Sequence, residues 1–384
     1  MSFAALTLVA AVGVLGPLLA LPRRWHLPVV LGELVGGVLL GPTGLRVLHA
    51  GNPTFTFLAD IGFALVMFVV GAHVPVRDAR LRAALPVGVG RAAGVGVFAA
   101  VLGTVLALAF GTGHAPMYAV LLASSSAALV LPVVDSLHLG GPAVLQMLPQ
   151  VAVADAACIV ALPLAVDPRH AVRAALGALA VLAAAAVLFL ALWYVERSGL
   201  RRGMHRVSEE RKFALELRVS LVVLFALAAL ATAAHVSLML AGFAFGLALA
   251  AVGEPRRLAR QLFAVTDGFF APLFFVWLGA SLELRELGRH PALILLGMAL
   301  GAGAVLTHAA MRLTGLPLPL AGLTAAQLGV PVAAATIGQQ AGLLRAGEPA
   351  ALLLGALVTI AAAVLCGSLA ARTGLVEQQQ VPAS

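Results

Sequence analysis

The sequence consists largely of long apolar runs that are separated by short polar links. A helix that crosses a lipid bilayer needs about 20 largely apolar residues. Because only 10% of the residues are charged, against about 25% in soluble domains, we predict an all-α polytopic membrane protein. Reading 214–252 as one segment would give twelve spans, although His235 makes a natural break there. The thirteen predicted segments are 3–21, 28–45, 54–74, 85–110, 115–134, 145–166, 170–194, 214–234, 236–252, 262–282, 291–313, 318–344 and 349–372.

The basic residues predict how the chain is oriented. A net charge of +8 could indicate a nucleic-acid partner, but these residues lie in short loops between apolar runs, so we expect no nucleic acid to bind. Seventeen arginines and lysines lie near loops that follow odd-numbered segments, and six near the other loops. Positive loops stay cytoplasmic. This predicts an outside N-terminus and a cytoplasmic C-terminus. We expect the chain to lie in the bacterial inner (plasma) membrane.

The sequence carries no motif typical of an enzyme or a metalloprotein. Cys158 and Cys366 both lie in apolar runs, where they behave as small hydrophobic residues. No zinc-ligand, nucleotide or serine-hydrolase motif is found. We therefore predict neither a cofactor nor an enzymatic activity, and we expect ion gradients to drive any transport. The longest polar link, 197–212, divides a single membrane domain (1–384) for which we predict no soluble regulatory domain.

Segments 3 and 10 are similar in sequence. The run DIGFALVMFVVGA begins at Asp60, and the run DGFFAPLFFVWLGA begins at Asp267. Because these segments are seven apart, the two copies cross the membrane in opposite directions. Inverted repeats of this kind are the architecture of secondary transporters, whose substrate sites lie near the middle of the membrane.

Segments 5 and 12, also seven apart, each combine a proline with polar residues. Proline removes a backbone donor and clashes with the carbonyl one turn before it, and lipid cannot satisfy the freed backbone groups. We therefore predict interrupted helices at Pro132 and Pro331, with an ordinary packed kink as the alternative. The polar residues predicted to line a site beside them are Ser124, Ser125, Ser126 and Gln327.

Asp155 lies nearly halfway along segment 6 and is the deepest acidic residue. A charge at the centre of a bilayer costs roughly 2.5–3.5 kcal/mol or more, and burial favours the neutral acid. We therefore predict that Asp155 binds a proton, or a desolvated cation when the proton is absent. Two ligands that compete for one site are all that exchange requires. A structural aspartate bonded to a neighbouring helix is the alternative.

The remaining charged residues within segments are weaker candidates. His308 and Arg312, one turn apart on segment 11, are the candidate basic partners of the site, although a lone histidine is more often a packing residue. Arg91 in segment 4 is expected to snorkel or to pair. Three carboxylates lie about one turn inside the ends of their segments, where a structural role is favoured: Glu33, Asp60 and Asp267.

These features resemble the cation:proton antiporter superfamily, in its Kef-type and NapA-type sodium(potassium)/proton exchanger branch. The resemblance spans nearly the whole chain. The stretches that carry it are LPVVLGELVGGVLLGPTGL (27–45), ASSSAALVLPVV (123–134), VAVADAACIVALPLA (151–165), LAGFAFGLAL (240–249) and FFAPLFFVWLGASL (269–282).

The resemblance implies a thirteen-helix, NhaA/NapA-like fold with inverted repeats, in which the unwound helices 5 and 12 cross. It further implies a homodimer held by residues 1–84 and 214–290. Residues 85–169 and 291–372 would form the ion-translocating core, and 170–213 a linker helix and a cytoplasmic loop.

The resemblance also implies a mechanism. Asp155 aligns with the family's ion-binding aspartate, and the polar residues of segments 5 and 12 would lie near it. An elevator movement of the core would expose Asp155 to each side of the membrane in turn. Protons would then be exchanged for Na⁺ or K⁺.

Three departures from the family's pattern qualify that mechanism. The position before the aspartate is Ala154, where the family has a polar or acidic residue. The core lysine of electrogenic members is absent, since the single lysine, Lys212, lies in a predicted cytoplasmic loop. Segment 12 reads Gln327-Leu328-Gly329 instead of Arg-Gly-Glu. We therefore expect electroneutral exchange. Proton-coupled transport of another small solute, and a channel-like or sensory protein with this fold, are the alternatives.

Overall fold

The computed structural model describes residues 1–20, 29–72, 79–168, 171–198, 215–234, 236–253, 256–282 and 284–375. Lys212 and His235, named above, lie outside these ranges. A π-helical turn, Thr266–Phe270, lies between the helices Arg256–Val265 and Ala271–Ser281, and a 3-10 turn, Ala310–Thr314, follows the helix Pro291–Ala309. The helices are, in chain order, α1 (Phe3–Ala20), α2 (Val29–Leu40), α3 (Pro53–Ala72), α4 (Ala79–Phe110), α5 (Ala115–Ala123), α6 (Ala127–Ser136), α7 (Pro142–Val166), α8 (Ala171–Arg197), α9 (Leu215–Ala233), α10 (Leu238–Val252), α11 (Arg256–Val265), α12 (Ala271–Ser281), α13 (Leu284–Arg289), α14 (Pro291–Ala309), α15 (Leu318–Leu323), α16 (Gly329–Gln340) and α17 (Glu348–Arg372).

Many of these helices are apolar enough to cross a membrane. Within the described ranges, seven are both long and apolar enough, and α1, α9 and α10 are shorter apolar helices. Large apolar side chains such as Leu108 and Val187 are exposed on α4 and α8, as expected of helices that face lipid. The seven spans are Pro53–Ala72, Ala83–Phe110, Pro142–Val166, Ala171–Arg197, Gln261–Ser281, Pro291–Thr314 and Glu348–Arg372.

Each predicted segment coincides with one helix or with a pair of helices. Segment 5 (115–134) consists of α5 and α6, and segment 12 (318–344) consists of α15 and α16. Segment 10 (262–282) begins earlier than predicted, at Arg256, and includes the π-helical turn. The length of an apolar run predicts where a helix lies, but it does not show where the helix is interrupted or changes its hydrogen-bonding pattern.

The described helices pack into two compact units. Unit 1 contains α1–α3 and α8–α12, and unit 2 contains α4–α7 and α13–α17. Helix α8, which the resemblance gave to a separate linker, packs within unit 1. The predicted boundary at 84/85 falls inside α4, all of which belongs to unit 2.

In unit 1, α3 and α10 pack closely because glycines face backbone across their contact. Gly242 lies against the carbonyl oxygen of Ala64, and Gly246 lies against that of Phe68. A Cβ atom on either glycine would overlap those oxygens, so the small residues allow the two backbones to approach. The rings of Phe68 and Phe245 add to the contact, with centroids 4.9 Å apart.

In unit 2, a buried polar group fixes the start of α17 against α5. The carboxylate of Glu348 is fully buried; it accepts hydrogen bonds from Tyr118 Oη at 2.9 Å and from the backbone N–H of Arg345 at 3.1 Å. His114 Nε2 lies 3.6 Å from Glu348 Oε1. The Arg345 guanidinium donates to the carbonyl of Gly111 at 2.9 Å. These bonds hold together the loops that precede α5 and α17.

Candidate functional site

Two interrupted helices lie within unit 2. Helix α5 ends at Ala123 and α6 begins at Ala127, so residues 124–126 form the first break. Helix α15 ends at Leu323 and α16 begins at Gly329, so residues 324–328 form the second break. Helix ends leave backbone N–H and C=O groups without partners inside the helix. In a membrane these groups must find partners within the protein, and polar side chains lie at both breaks.

Pro132 and Pro331 do not lie in the breaks themselves. Pro132 is the sixth residue of α6, and Pro331 is the third residue of α16. A proline in the first turn of a helix removes no intrahelical hydrogen bond, so Pro331 is compatible with the start of α16. The breaks therefore precede the predicted positions, and the sequence signal for them lies in the polar residues before each proline.

The carbonyl groups at the end of α5 are satisfied from two other elements. Gln327 Nε2, in the second break, donates to Leu121 O at 2.6 Å and to Ser124 O at 3.3 Å. Thr307 Oγ1, on α14, donates to Leu122 O at 3.1 Å. The second break and α14 thus cap the first half of the interrupted helix.

Asp155 lies beside the first break. It occupies the middle of α7, and its Oδ2 accepts a hydrogen bond from the backbone N–H of Ala127 at 3.0 Å. Ala127 is the first residue of α6, so the carboxylate lies at the positive end of that helix dipole. Asp155 is 6% exposed. Its second oxygen, Oδ1, accepts no hydrogen bond from any described residue.

The electrostatic partners of Asp155 are backbone groups. Across the ranges that the structure describes, no arginine, lysine or histidine nitrogen lies within 4.0 Å of its carboxylate. Ala154, before it, is buried and contributes no polar atom, and Cys158 is a buried free thiol. Among the described residues, an ionised Asp155 therefore has no side-chain cation beside it.

The three serines of the first break make different contacts. Ser124 Oγ donates to Leu121 O, within its own helix end, at 2.9 Å. Ser125 Oγ donates to Thr324 O, in the second break, at 2.7 Å. Ser126 Oγ makes no hydrogen bond with the described part of the chain, although the residue is only 5% exposed. Ser125 therefore joins the two breaks directly, whereas Ser126 keeps a hydroxyl available beside Ala127.

His308 belongs to the second break. It is fully buried on α14, and its Nδ1 lies 2.9 Å from Thr324 Oγ1. Its ring faces the backbone of Ala123 and Ser124 at the end of α5. The predicted partner Arg312 is exposed in the 3-10 turn after α14. Of the two predicted basic partners, His308 therefore lies at the breaks and Arg312 does not.

Four polar residues that complete this group were not predicted from the sequence. Gln150 Nε2 donates to Thr324 Oγ1 at 3.4 Å. Thr359, on α17, accepts at Oγ1 a hydrogen bond from the backbone N–H of Gln327 at 3.2 Å. Thr307 caps α5, as described above. The available signal was a polar residue within an apolar segment, which is the same signal that identified Asp155. The missed residues are Gln150, Thr307, Thr324 and Thr359.

The other charged residues named from the sequence lie elsewhere. Arg91 is 5% exposed, and it donates to Thr314 Oγ1 at 2.9 Å and to Gln146 Oε1 at 3.4 Å, so it pairs with neutral groups. Glu33 is buried in α2, Asp60 is half-buried in α3 and Asp267 is exposed in the π-helical turn. All three carboxylates belong to unit 1.

Comparison with protein families gives a match over almost the whole chain. Residues 8–374 match the family described as sodium/hydrogen exchanger, transmembrane. The putative Na⁺/H⁺ antiporter YjbQ of Bacillus subtilis is 24% identical over 386 residues, covering 95% of this chain and 62% of that protein. The glutathione-regulated potassium-efflux system protein KefC of Cronobacter sakazakii is 29% identical over 289 residues, covering 71% of this chain and 44% of that protein. The chain thus spans about half the length of these curated relatives.

A solved structure has the same fold. The sodium proton antiporter MjNhaP1 of Methanocaldococcus jannaschii, at pH 8, aligns with a TM-score of 0.67 at 17% identity, covering 97% of this chain and 96% of that one. A second structure of the same protein gives a TM-score of 0.68 at 15% identity. At this identity the likeness concerns the arrangement of helices. It agrees with an all-helical polytopic membrane protein.

Proposed function

The chain belongs to the family of transmembrane sodium/hydrogen exchangers, and from that membership we propose that it is a secondary active antiporter that exchanges protons for a monovalent cation, Na⁺ or K⁺. The family is one of transporters, not of enzymes. The observation that carries the proposal is Asp155, a buried carboxylate in an apolar unit, which among the described residues accepts one hydrogen bond, from the backbone at a broken helix.

Competition at Asp155 provides the exchange. The ionised carboxylate is favoured by the Ala127 N–H and by the start of α6, but its Oδ1 accepts no hydrogen bond from the part of the chain that the structure describes. A proton or a desolvated cation can each occupy that oxygen, and the two exclude one another because the site offers a single charge. We propose that Ser126 and Gln327, one from each break, complete the shell of a cation at Asp155.

The charge balance supports electroneutral, one-for-one exchange. No basic side chain within 4.0 Å of Asp155 is found in the described ranges, so no fixed positive charge is displaced when a cation binds. One carboxylate that alternates between a proton and a monovalent cation carries the same net charge in both loaded states. We therefore propose that the rate is insensitive to membrane potential.

The same proposal extends to the architecture. Thirteen membrane crossings with an outside N-terminus, inverted repeats and crossed breaks at 124–126 and 324–328 would allow Asp155 to face the two sides alternately. Unit 2, which contains both breaks, is proposed as the ion-translocating part of an elevator mechanism. Unit 1 is proposed to form a homodimer.

The test is proton flux in proteoliposomes, followed by an internal pH dye after addition of Na⁺ or K⁺. We expect cation-triggered proton efflux from the wild type, loss of that flux in Asp155→Asn, and retention of it in Asp167→Asn, which changes an acid at the end of the same helix. An imposed membrane potential should leave the rate unchanged. If neither cation moves protons through correctly inserted wild-type protein, the proposed activity is wrong.

A further inference from the structure

His114 is a partly exposed histidine beside a buried carboxylate. Its Nε2 lies 3.6 Å from Glu348 Oε1, and its ring meets that of Tyr118 edge-on, with centroids 6.2 Å apart. The His114 side chain is 19% exposed, whereas that of Glu348 is fully buried. All three residues belong to unit 2. A proton from water can therefore reach the imidazole, while the carboxylate beside it is withdrawn from water.

The backbone fixes both partners in this arrangement. Glu348 follows Gly347, whose φ is +84°; its N–H donates to Arg345 O at 3.0 Å, and its Oε2 accepts the N–H of Arg345 at 3.1 Å. His114 follows Gly113, whose φ is +77°. Glycine adopts a positive φ without the steric cost that other residues pay. Two short turns, instead of long surface side chains, therefore set the distance between the imidazole and the carboxylate.

The Glu348 carboxylate has polar partners but no permanent cation beside it. Tyr118 Oη and the backbone N–H of Arg345 donate to it, and the Arg345 guanidinium donates to the carbonyl of Gly111 instead. In the part of the chain that the structure describes, His114 is the one basic side chain with a nitrogen within 4.0 Å of this carboxylate. A buried charge that lacks a partner is costly. A positive charge on His114 would compensate the buried negative charge.

The elements that pack against α5 and α17 carry further charged side chains. Helices α4, α7 and α14 pack against α5, and α13 and α14 pack against α17. Asp155 and His308, on two of these helices, lie at the breaks. The arginines on them stay charged at every pH at which a histidine titrates. The other acidic and basic residues that the structure describes on these elements are Arg91, Asp167, Arg285, Arg289 and His290.

We propose that His114 is a proton-binding site separate from Asp155, and that its protonation forms an ion pair with Glu348 that holds together the loops before α5 and α17. A protonated imidazole carries a proton on both ring nitrogens, so Nε2 can then donate to Oε1. Helix α5 runs from His114 to the first break, and α17 carries Thr359, which accepts the N–H of Gln327 in the second break. The inference goes beyond the proposed antiport: it gives the chain a response to pH that does not arise at its transport site.

Thermal unfolding of the full chain in detergent tests this pair. At about pH 5.5, where a histidine is largely protonated, His114→Gln should melt about 2–4 °C below the wild type. At about pH 8 the imidazole is neutral, the ion pair is lost, and the difference should largely close. The same dependence on pH should persist when both proteins also carry Asp155→Asn. A difference that does not change with pH, or one that disappears with Asp155→Asn, overturns the proposal.

The matched control is His290→Gln. His290 is the exposed N-cap residue of α14, so its substitution should leave the melting temperature unchanged at both pH values. The effect of His114→Gln must also depend on Glu348. In a Glu348→Gln background, where no ion pair can form, His114→Gln should produce no difference that changes with pH. Persistence of that difference in this background would show that the carboxylate is not the partner.

Hydrogen exchange provides a second measurement, which does not require Glu348→Gln to fold. At about pH 5.5, residues 111–118 and 345–351 should exchange about fivefold faster in His114→Gln than in the wild type, and at about pH 8 equally fast. Comparing two proteins at one pH removes the intrinsic dependence of exchange on pH. Equal exchange at both pH values overturns the proposal. Because none of these measurements involves ion flux, failure of the antiport proposal would appear separately, as absent proton efflux from the wild type.

Discussion

Asp155 and Thr359 occupy corresponding positions at the two breaks of unit 2. Asp155 Oδ2 accepts the N–H of Ala127 at 3.0 Å, and Thr359 Oγ1 accepts the N–H of Gln327 at 3.2 Å. Hydrogen bonds to a charged acceptor are roughly twice as strong as those to a neutral one. If Asp155 is the exchanging site, as proposed above, its protonation would weaken the bond at the first break, whereas the bond between Thr359 and Gln327 involves no charge that could change.

Thr359 should contribute to stability through the hydrogen bond that it accepts from Gln327. Thr359→Val leaves the buried N–H of Gln327 without an acceptor, which we expect to lower the free energy of unfolding by about 1–3 kcal/mol. Thr359→Ser keeps the hydroxyl and should remain within about 1 kcal/mol of the wild type. Thermal unfolding of the purified protein in detergent compares the two. Equal stability of the valine and serine variants would contradict the assigned bond.

Gly246 should be far less tolerant of alanine than Gly90. A methyl group at Gly246 meets the carbonyl oxygen of Phe68, whereas one at Gly90 meets no atom within 4 Å. Gly246→Ala should separate α3 from α10 and cost about 1–3 kcal/mol, as overpacking does. Gly90→Ala should be neutral or stabilise α4 by about 0.5–1 kcal/mol, because alanine restricts the unfolded chain. Parallel melting curves check both variants, and a similar loss in each would contradict the packing described here.

The sequence located the helices and Asp155 but not the bonds around them. Thirteen apolar segments could be predicted because lipid imposes length and apolarity on each crossing. Asp155 stood out because a carboxylate is costly there. Gln150 and Thr359 were missed because an uncharged polar residue in an apolar helix is common, and only its partner in space reveals a role. The breaks were predicted at the two prolines but lie before them, at 124–126 and 324–328. Their positions could not be predicted because the polar contacts at the breaks come from other parts of the chain.

Tyr118 and Glu348 should be energetically coupled. Tyr118→Phe removes the donor to a fully buried carboxylate oxygen, and Glu348→Gln replaces the carboxylate by a neutral amide. Each single substitution is expected to cost about 1–3 kcal/mol. The double variant should cost less than their sum by about 1 kcal/mol, because Glu348→Gln already reduces the Tyr118 bond from a charge-assisted one to a neutral one. Unfolding free energies of the four proteins test this coupling. Additive effects would show that the two side chains act independently.

Substitution of two serines in the first break should affect stability and cation binding separately. Ser125→Ala removes the donor to Thr324 O and should destabilise the protein by about 1–3 kcal/mol. Ser126→Ala removes a hydroxyl that makes no bond with the described residues, so stability should change by less than about 0.5 kcal/mol.

If Ser126 completes the shell of a cation at Asp155, its alanine variant should instead raise the half-saturating Na⁺ or K⁺ concentration in proteoliposomes, by about tenfold for the loss of one ligand. Melting curves and flux titrations on both variants measure the two effects separately. A Ser126→Ala protein with unchanged cation dependence would exclude this hydroxyl from the site. Retained stability in Ser125→Ala would show that the packing of the two breaks does not depend on the bond from Ser125 to Thr324.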